Sequence, residues 1–62
     1  MKGITSFEQA VEIATLTAER NNFEYAVMKL EDGTYAFQKN VNHWFKEGDT
    51  DIVGNKIIKI VR

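Results

Sequence analysis

The stretch from residue 25 to residue 38 constrains the fold more than any other part of the chain, because its pattern is typical of a β-hairpin. Two runs of apolar, aromatic and β-branched residues flank the pair Asp32-Gly33. An Asp-Gly pair between such runs favours a type I′ turn, since glycine adopts a positive φ without strain. The stretch therefore predicts two antiparallel strands joined by a tight turn.

The register of this hairpin depends on the length of its loop. A two-residue loop places Leu30 opposite Tyr35, and Met28 opposite Phe37, on one face of the sheet. A three-residue loop would instead pair Leu30 with Thr34 and distribute the apolar residues over both faces. We therefore predict the two-residue loop, which gives the hairpin one apolar core face.

A helix is predicted before the hairpin. Thr5 and Ser6 each begin a capping box, so a hydroxyl at either position can accept a hydrogen bond from an early backbone N–H. Asn21 and Asn22 indicate the end of the helix, because asparagine tolerates the left-handed conformation of C-caps. Between these limits an apolar face recurs at helical spacing, formed by Phe7, Ala10, Val11, Ala14 and Ala18. We expect it to pack on the hairpin face formed by Ala26, Met28, Leu30, Tyr35 and Phe37.

Two further strands are predicted after the hairpin. Residues 41–46 have the aromatic and β-branched content of a strand, and a polar loop follows them. Residues 52–61 are rich in isoleucine and valine and predict the last strand. Within it, Gly54-Asn55 is either a two-residue turn that makes a small hairpin of Ile52-Val53 with Lys56-Ile57, or a bulge in one bent strand.

The predicted fold is α+β in two layers, a single domain from residue 1 to residue 62. One N-terminal helix packs on a three- to four-stranded antiparallel sheet, in the order α-β-β-β-β. A core of this size rarely supplies more than about 3 to 5 kcal/mol of stability. The chain has no cysteine and one histidine, which excludes disulfides and disfavours a zinc site. Close packing and self-association remain as sources of stability.

The sequence lacks the residue patterns of an enzyme, a cofactor site or a metal site. Its four glycines are dispersed and form neither a phosphate-binding loop nor a dinucleotide fingerprint. His43 has no orienting carboxylate at a recognisable spacing, which disfavours acid-base catalysis. Asp49 and Asp51 supply too few oxygen ligands for a calcium loop. We predict a protein that is not an enzyme and that needs no cofactor and no metal.

The hydropathy of the chain bears on its localisation. No segment approaches the roughly 20 consecutive apolar residues that a membrane-spanning helix needs. The first residues also lack the long apolar region of a secretory signal. We expect a cytoplasmic protein without a membrane partner.

The apolar residues exceed what one short helix can cover. In the predicted register the helix covers one sheet face and leaves Tyr25 and Val27 on the other. Alternation along the last strand turns one of its aliphatic pairs away from the core, either Ile57 with Val61 or Ile58 with Ile60. Apolar patches and free strand edges are typical of partner surfaces. The expected partner-binding or oligomer face consists of Tyr25, Val27, Trp44, Phe45, Ile57 and Val61.

These features predict a small, non-enzymatic protein-binding module. We expect a homo-oligomer, with a dimer as the first expectation, formed through the open sheet face or the C-terminal strand. In size and composition the chain is similar to the small accessory proteins that phages and other mobile elements encode as inhibitors or adaptors of host factors. This similarity includes no sequence motif.

The distribution of charge supports two further surfaces. Glu8, Glu12 and Glu19 form an acidic ridge on the exposed side of the predicted helix, which suits solvation or the docking of a basic partner. The alternative function is a nucleic-acid-binding regulator, in which Trp44 and Phe45 stack on bases. Its basic contacts would be Lys46, Lys56, Lys59 and Arg62. The isoelectric point of about 5.7 lies far below the range typical of nucleic-acid-binding domains, so this function ranks second.

Overall fold

The computed structural model describes residues 3–62, which form one helix and a three-stranded antiparallel sheet. Helix α1 spans Phe7–Asn21, and the strands are β1 (Tyr25–Lys29), β2 (Tyr35–Lys39) and β3 (Lys56–Val61). The strand order is β2-β1-β3, so β1 is the central strand and pairs with both neighbours. The predicted α+β class and the antiparallel sheet are confirmed.

Helix α1 begins and ends where its caps predict. Ser6 is the N-cap, and its hydroxyl accepts a hydrogen bond from the backbone N–H of Gln9 at 3.3 Å. Asn22 is the C-cap and has the left-handed conformation, with φ of 53°. The helix therefore ends just before the chain turns into β1.

The hairpin between β1 and β2 has a three-residue loop, so the predicted two-residue turn is wrong. The backbone N–H of Leu30 donates to Thr34 O at 2.8 Å, and Gly33 N–H donates to Leu30 O at 3.1 Å. Val27 consequently lies opposite Phe37, one residue away from the predicted pairing.

The Asp32 carboxylate explains the choice of loop. Its Oδ1 accepts hydrogen bonds from the backbone N–H and the hydroxyl of Thr34, at 2.9 and 2.6 Å. Gly33 follows Asp32 with φ of 87°, the left-handed residue that three-residue hairpin loops require. An Asp-Gly pair thus suits either loop, and here the threonine after it favours the longer one.

This one-residue difference exchanges the two faces of β1 relative to β2, because side chains alternate along a strand. Tyr25 and Val27 face the helix and pack against its small residues Ala10, Ala14 and Ala18. Tyr35 and Phe37 also join this cluster, as predicted. Ala26 and Met28, which were expected beneath the helix, instead pack with Ile57 in a second cluster. The prediction of which face α1 covers is therefore wrong for β1.

Strand β3 pairs with β1 through a bulge. Val27 lies opposite Lys59, while Met28 lies opposite Ile57, so Ile58 has no partner residue in β1. The bulge divides the aliphatic residues of β3 between the clusters: Ile58 and Val61 join the helix cluster, and Ile57 and Ile60 join the second one. Simple alternation, which groups Ile57 with Val61, is wrong for this strand because the extra residue shifts the pattern.

The segment predicted as a third strand, residues 41–46, is not a strand. It begins with a short 3-10 turn at Val41–His43, in which Asn42 and His43 have φ values of 57° and 55°. Positive φ values are incompatible with an extended strand. The aromatic residues of this segment do not take part in strand pairing. Phe45 packs against the core, and Trp44 is exposed.

The pairing of Ile52-Val53 with Lys56-Ile57, one of the two arrangements considered, is also absent. Asp51 Oδ1 accepts hydrogen bonds from three backbone N–H groups, those of Val53, Gly54 and Asn55, at 3.0, 2.8 and 2.8 Å. Ile52 and Val53 therefore lie in a turn closed by Asp51. Neither arrangement considered for Gly54-Asn55 occurs, since the turn is wider than two residues and lies outside β3.

The outer edge of β3 is partly covered by the loop before it. Gly48 N–H donates to Ile57 O, and Ile57 N–H donates to Asp49 O, both at 2.8 Å. Farther along, Ile60 N–H donates to Glu47 Oε1 at 3.2 Å. The outer edge of β3 is therefore occupied at these positions.

Candidate functional site

Four apolar residues form an exposed surface on the side of the sheet away from the helix. Trp44, Ile52 and Val53 are 69%, 87% and 85% exposed, and Phe45 is partly buried between them and the second cluster. Two shallow grooves, of about 370 and 170 Å³, share Phe45 and Ile52 in their walls. We call these four residues the Trp44 surface.

Asn40 fixes the position of this surface. Its side-chain amide donates to Phe45 O at 2.9 Å, and its Oδ1 accepts from Phe45 N–H at 2.7 Å. The two bonds hold the Phe45 side chain against the second cluster, where it packs with Met28 and Ile57. Trp44 then projects outward, with its ring centroid 5.9 Å from that of Phe45.

Two carboxylates lie in the groove beside Trp44. Asp49 and Asp51 line the same groove as Trp44. Burial disfavours ionisation of Asp51, but hydrogen bonds from Asn55, Gly54 and Val53 outweigh burial and hold its pKa below the usual value. The groove beside Trp44 therefore carries fixed negative charge at neutral pH.

A second cluster of functional groups surrounds the buried carboxylate of Glu24, whose side chain is 6% exposed. Glu24 Oε2 accepts a hydrogen bond from the Asn40 amide and lies 3.1 Å from His43 Nδ1. Glu24 Oε1 lies 2.9 Å from Arg62 Nε. The Nε–H does not point at this oxygen, so the contact is an ion pair, and Oε1 accepts no hydrogen bond from residues 3–62.

The partners of Glu24 keep it ionised. The hydrogen bond with His43 lowers its pKa most, and burial acts in the opposite direction. The Asn40 hydrogen bond and the positive charges of His43 and Arg62 add to the lowering, so the pKa of Glu24 lies below its ordinary value of 4.5. Glu24 thus remains a carboxylate at neutral pH although its side chain is almost completely buried.

A groove of about 480 Å³ opens beside this cluster. Its walls include Glu19 and Asn22 at the end of α1, the Phe23 ring, and Glu24, His43 and Arg62. It is separate from the Trp44 surface, although Asn40 contacts both Glu24 and Phe45.

The structure brings together only part of the predicted partner face. Trp44 and Phe45 lie side by side, as neighbours in the exposed surface. Tyr25, Val27, Ile57 and Val61 are buried in the two core clusters, so they offer no surface in this fold. The prediction that they are exposed is wrong, because the hairpin register and the β3 bulge turn them into the core.

The predicted charged surfaces are exposed but are not joined into one site. Glu8, Glu12 and Glu19 are exposed on α1, and Glu19 alone also borders the Glu24 groove. The basic residues Lys46, Lys56 and Lys59 are exposed, whereas Arg62 pairs with Glu24.

Sequence reasoning missed Glu24 and Asn40, and it placed Ile52 and Val53 in a strand. The register of the β1–β2 hairpin contains a signal for Glu24 and Asn40. Tyr25 lies opposite Lys39, so the next pair brings Asn40 opposite Glu24, and Asn40 N–H donates to Glu24 O at 2.9 Å. With the predicted two-residue loop, Glu24 would have faced Val41 instead.

The depressed pKa of Glu24 makes stability dependent on pH. Because the folded-state pKa lies below 4.5, the contribution is complete above that value and is lost as the pH falls through the folded-state pKa. We expect the free energy of unfolding, measured by urea titration at a series of acidic pH values, to fall more steeply in the wild type than in Glu24→Gln. Equal slopes in the two proteins would contradict this assignment, since Asp32 and Asp51 titrate in both.

Comparison of the chain with protein-family models, curated proteins and solved structures finds no match. Within the described residues, no helix is long and apolar enough to cross a membrane. Over the same residues, no three histidine, cysteine or acidic side chains are grouped so that they could hold a metal ion.

Proposed function

We propose that the protein is a non-enzymatic protein-binding module that associates with a second copy of itself through the Trp44 surface. The observation that carries this proposal is the exposure of Trp44, Ile52 and Val53 within one continuous surface. Single exposed apolar residues are ordinary, whereas a contiguous group marks an interaction surface.

The position of the surface supports an interface. The helix covers one face of the sheet, and on the other face Leu30, Ala36 and Ile60 are only partly buried. The Trp44 surface therefore continues an incompletely covered apolar face. A tryptophan at such a place contributes a large apolar area and an N–H donor, the combination typical of interface centres.

A second copy is the partner that the chain's charge and size favour. The net charge of −1 opposes association only weakly. A chain of 62 residues without cysteine has a small core, and a two-fold interface would bury apolar area that the monomer leaves in water. The four apolar side chains of this surface can pack against their own copies across a two-fold axis.

The nucleic-acid alternative has weaker support. A base stacked on Trp44 would bring its phosphates close to Asp49 and Asp51, which line the same groove. These carboxylates repel phosphate, and nucleic-acid affinity depends mainly on phosphate neutralisation. Titration of Trp44 fluorescence with an oligonucleotide at low salt distinguishes the two functions, since only the alternative predicts salt-sensitive quenching.

The variant Ile52→Lys tests self-association. Ile52 is 87% exposed in the turn, so the substitution leaves stability within about 0.5 kcal/mol of the wild type. It places two buried charges in a symmetric dimer, and we expect it to weaken dimerisation by at least about tenfold. Sedimentation equilibrium gives the association constant, and Trp44 emission at the same concentrations reports burial of the indole.

The matched control is Leu16→Lys, which introduces the same residue at an exposed apolar position of α1. This variant should associate as the wild type does. A wild type that remains monomeric up to about 1 mM contradicts self-association. Equal weakening by both substitutions would contradict the assignment of the interface to the Trp44 surface.

A further inference from the structure

We propose that the groove beside Glu24 binds a guanidinium or ammonium group of a cationic ligand, which replaces Arg62 at Glu24 Oε1. This site is independent of the Trp44 surface. It rests on a buried, ionised carboxylate with one unused acceptor, on the negative character of the groove, and on the weak hold of its present occupant.

The carboxylate is pre-organised. Asn40 and His43 both contact Oε2, and the Asn40 side chain is itself completely buried. Oε1 accepts no hydrogen bond from residues 3–62. Arg62 pairs with Oε1 without forming a hydrogen bond, so a donor that reaches Oε1 with good geometry adds a bond that the ion pair lacks.

The walls of the groove favour a positive charge. Glu19 adds a second carboxylate, and the C-terminal end of α1 adds the negative end of the helix dipole. The Phe23 ring lines the groove and already attracts a cation, because Lys39 Nζ lies 5.2 Å from its centroid. An anion would meet two carboxylates here, with only Arg62 and His43 to offset them.

Arg62 holds the position loosely. Its side chain is 83% exposed and its Nε–H does not form a hydrogen bond with Oε1, despite a separation of 2.9 Å. An incoming guanidinium can offer two parallel N–H groups, which form stronger bonds to a carboxylate than a single misaligned contact. Arg62 is thus a tethered competitor for the site that the ligand occupies.

The experiment is a ¹H–¹⁵N correlation titration of the 62-residue chain with ethylguanidinium. Ethylammonium in a second arm distinguishes guanidinium from ammonium recognition, and ethylurea serves as the neutral control. We expect saturable shifts at the amides of Phe23, Glu24 and His43 with a cationic probe. Ethylurea should leave these amides unchanged.

Arg62→Ala provides the decisive comparison. Removal of the tethered competitor should tighten cation binding by about tenfold, whereas a purely structural role for Arg62 would leave binding unchanged or absent. Glu19→Gln, at an exposed helix position, should weaken binding without unfolding the chain.

The proposal is overturned by any of three results. The first is that neither cation produces saturable shifts in Arg62→Ala, and the second is that the cations bind Arg62→Ala no more tightly than the wild type. The third is that ethylurea and the cations produce the same shifts in the wild type. Neither result bears on the Trp44 surface, whose test is the oligomeric state.

Discussion

Replacing Asn40 with alanine is expected to lower the free energy of unfolding by about 2 to 3 kcal/mol, because it leaves buried partners without hydrogen bonds. The Asn40 side chain is completely buried and makes contacts with the Glu24 carboxylate and with both backbone groups of Phe45. Alanine supplies neither donor nor acceptor. The Glu24 charge then keeps only its contacts with His43 and Arg62, whose side chains are mostly exposed.

The expected loss is large for this chain. A domain of this size typically has about 3 to 5 kcal/mol of stability in total, so the variant should be partly unfolded without denaturant. Urea unfolding followed by far-ultraviolet circular dichroism measures the difference. Gln38→Ala is the matched control, since it removes an exposed amide from the neighbouring strand and should change stability by no more than about 0.5 kcal/mol.

Asn40→Ala also tests how the Trp44 surface is positioned. If Asn40 holds Phe45 in place, the variant loses association together with stability, while Gln38→Ala retains its stability. An Asn40→Ala protein as stable as the wild type would show that the contacts with Glu24 and Phe45 do not anchor residues 40–45.

Local signals in the sequence were sufficient to predict the helix and the two hairpin strands. Ser6 and Asn22 cap α1 at the predicted ends, and strands β1 and β2 lie on either side of Asp32-Gly33. Each of these features depends on residues close together in the chain. A capping hydroxyl accepts a hydrogen bond from a backbone N–H three residues away, and a residue that tolerates positive φ ends a helix or closes a turn within a few residues.

Register could not be predicted from the same local pattern. The choice between loops depended on the hydrogen bonds between Asp32 and Thr34, and a difference of one residue reversed the faces of β1. Tyr25 and Val27 thereby moved from the expected partner face to the core. The same shift hid the pairing of Glu24 with Asn40, on which the candidate groove depends.

The segment after the hairpin was predicted as strand because its composition is aromatic and β-branched. Its course is set instead by polar side chains that bond to the backbone. Asn40 holds Phe45, and Asp51 closes the turn that exposes Ile52 and Val53. Such hydrogen bonds from side chains to the backbone compete with strand pairing, and the hydrophobic pattern of a sequence does not reveal them.

Ala14→Leu is expected to destabilise the fold by about 3 kcal/mol, because it inserts a branched side chain where the helix touches the sheet. Ala14 is completely buried and packs with Val27 and Tyr25 in the helix cluster. Space for a leucine would require α1 to move away from β1, which would also separate Ala10 and Ala18 from the sheet. The larger side chain cannot offset that loss with its own burial.

Glu12→Leu is the control for this prediction, since it introduces the same residue at an exposed position of the same helix. Its helix propensity effect is small and favourable, so stability should remain within about 0.5 kcal/mol of the wild type. Urea unfolding of the two variants isolates the cost of overpacking. A stable Ala14→Leu protein would show that this position of α1 does not lie against the sheet.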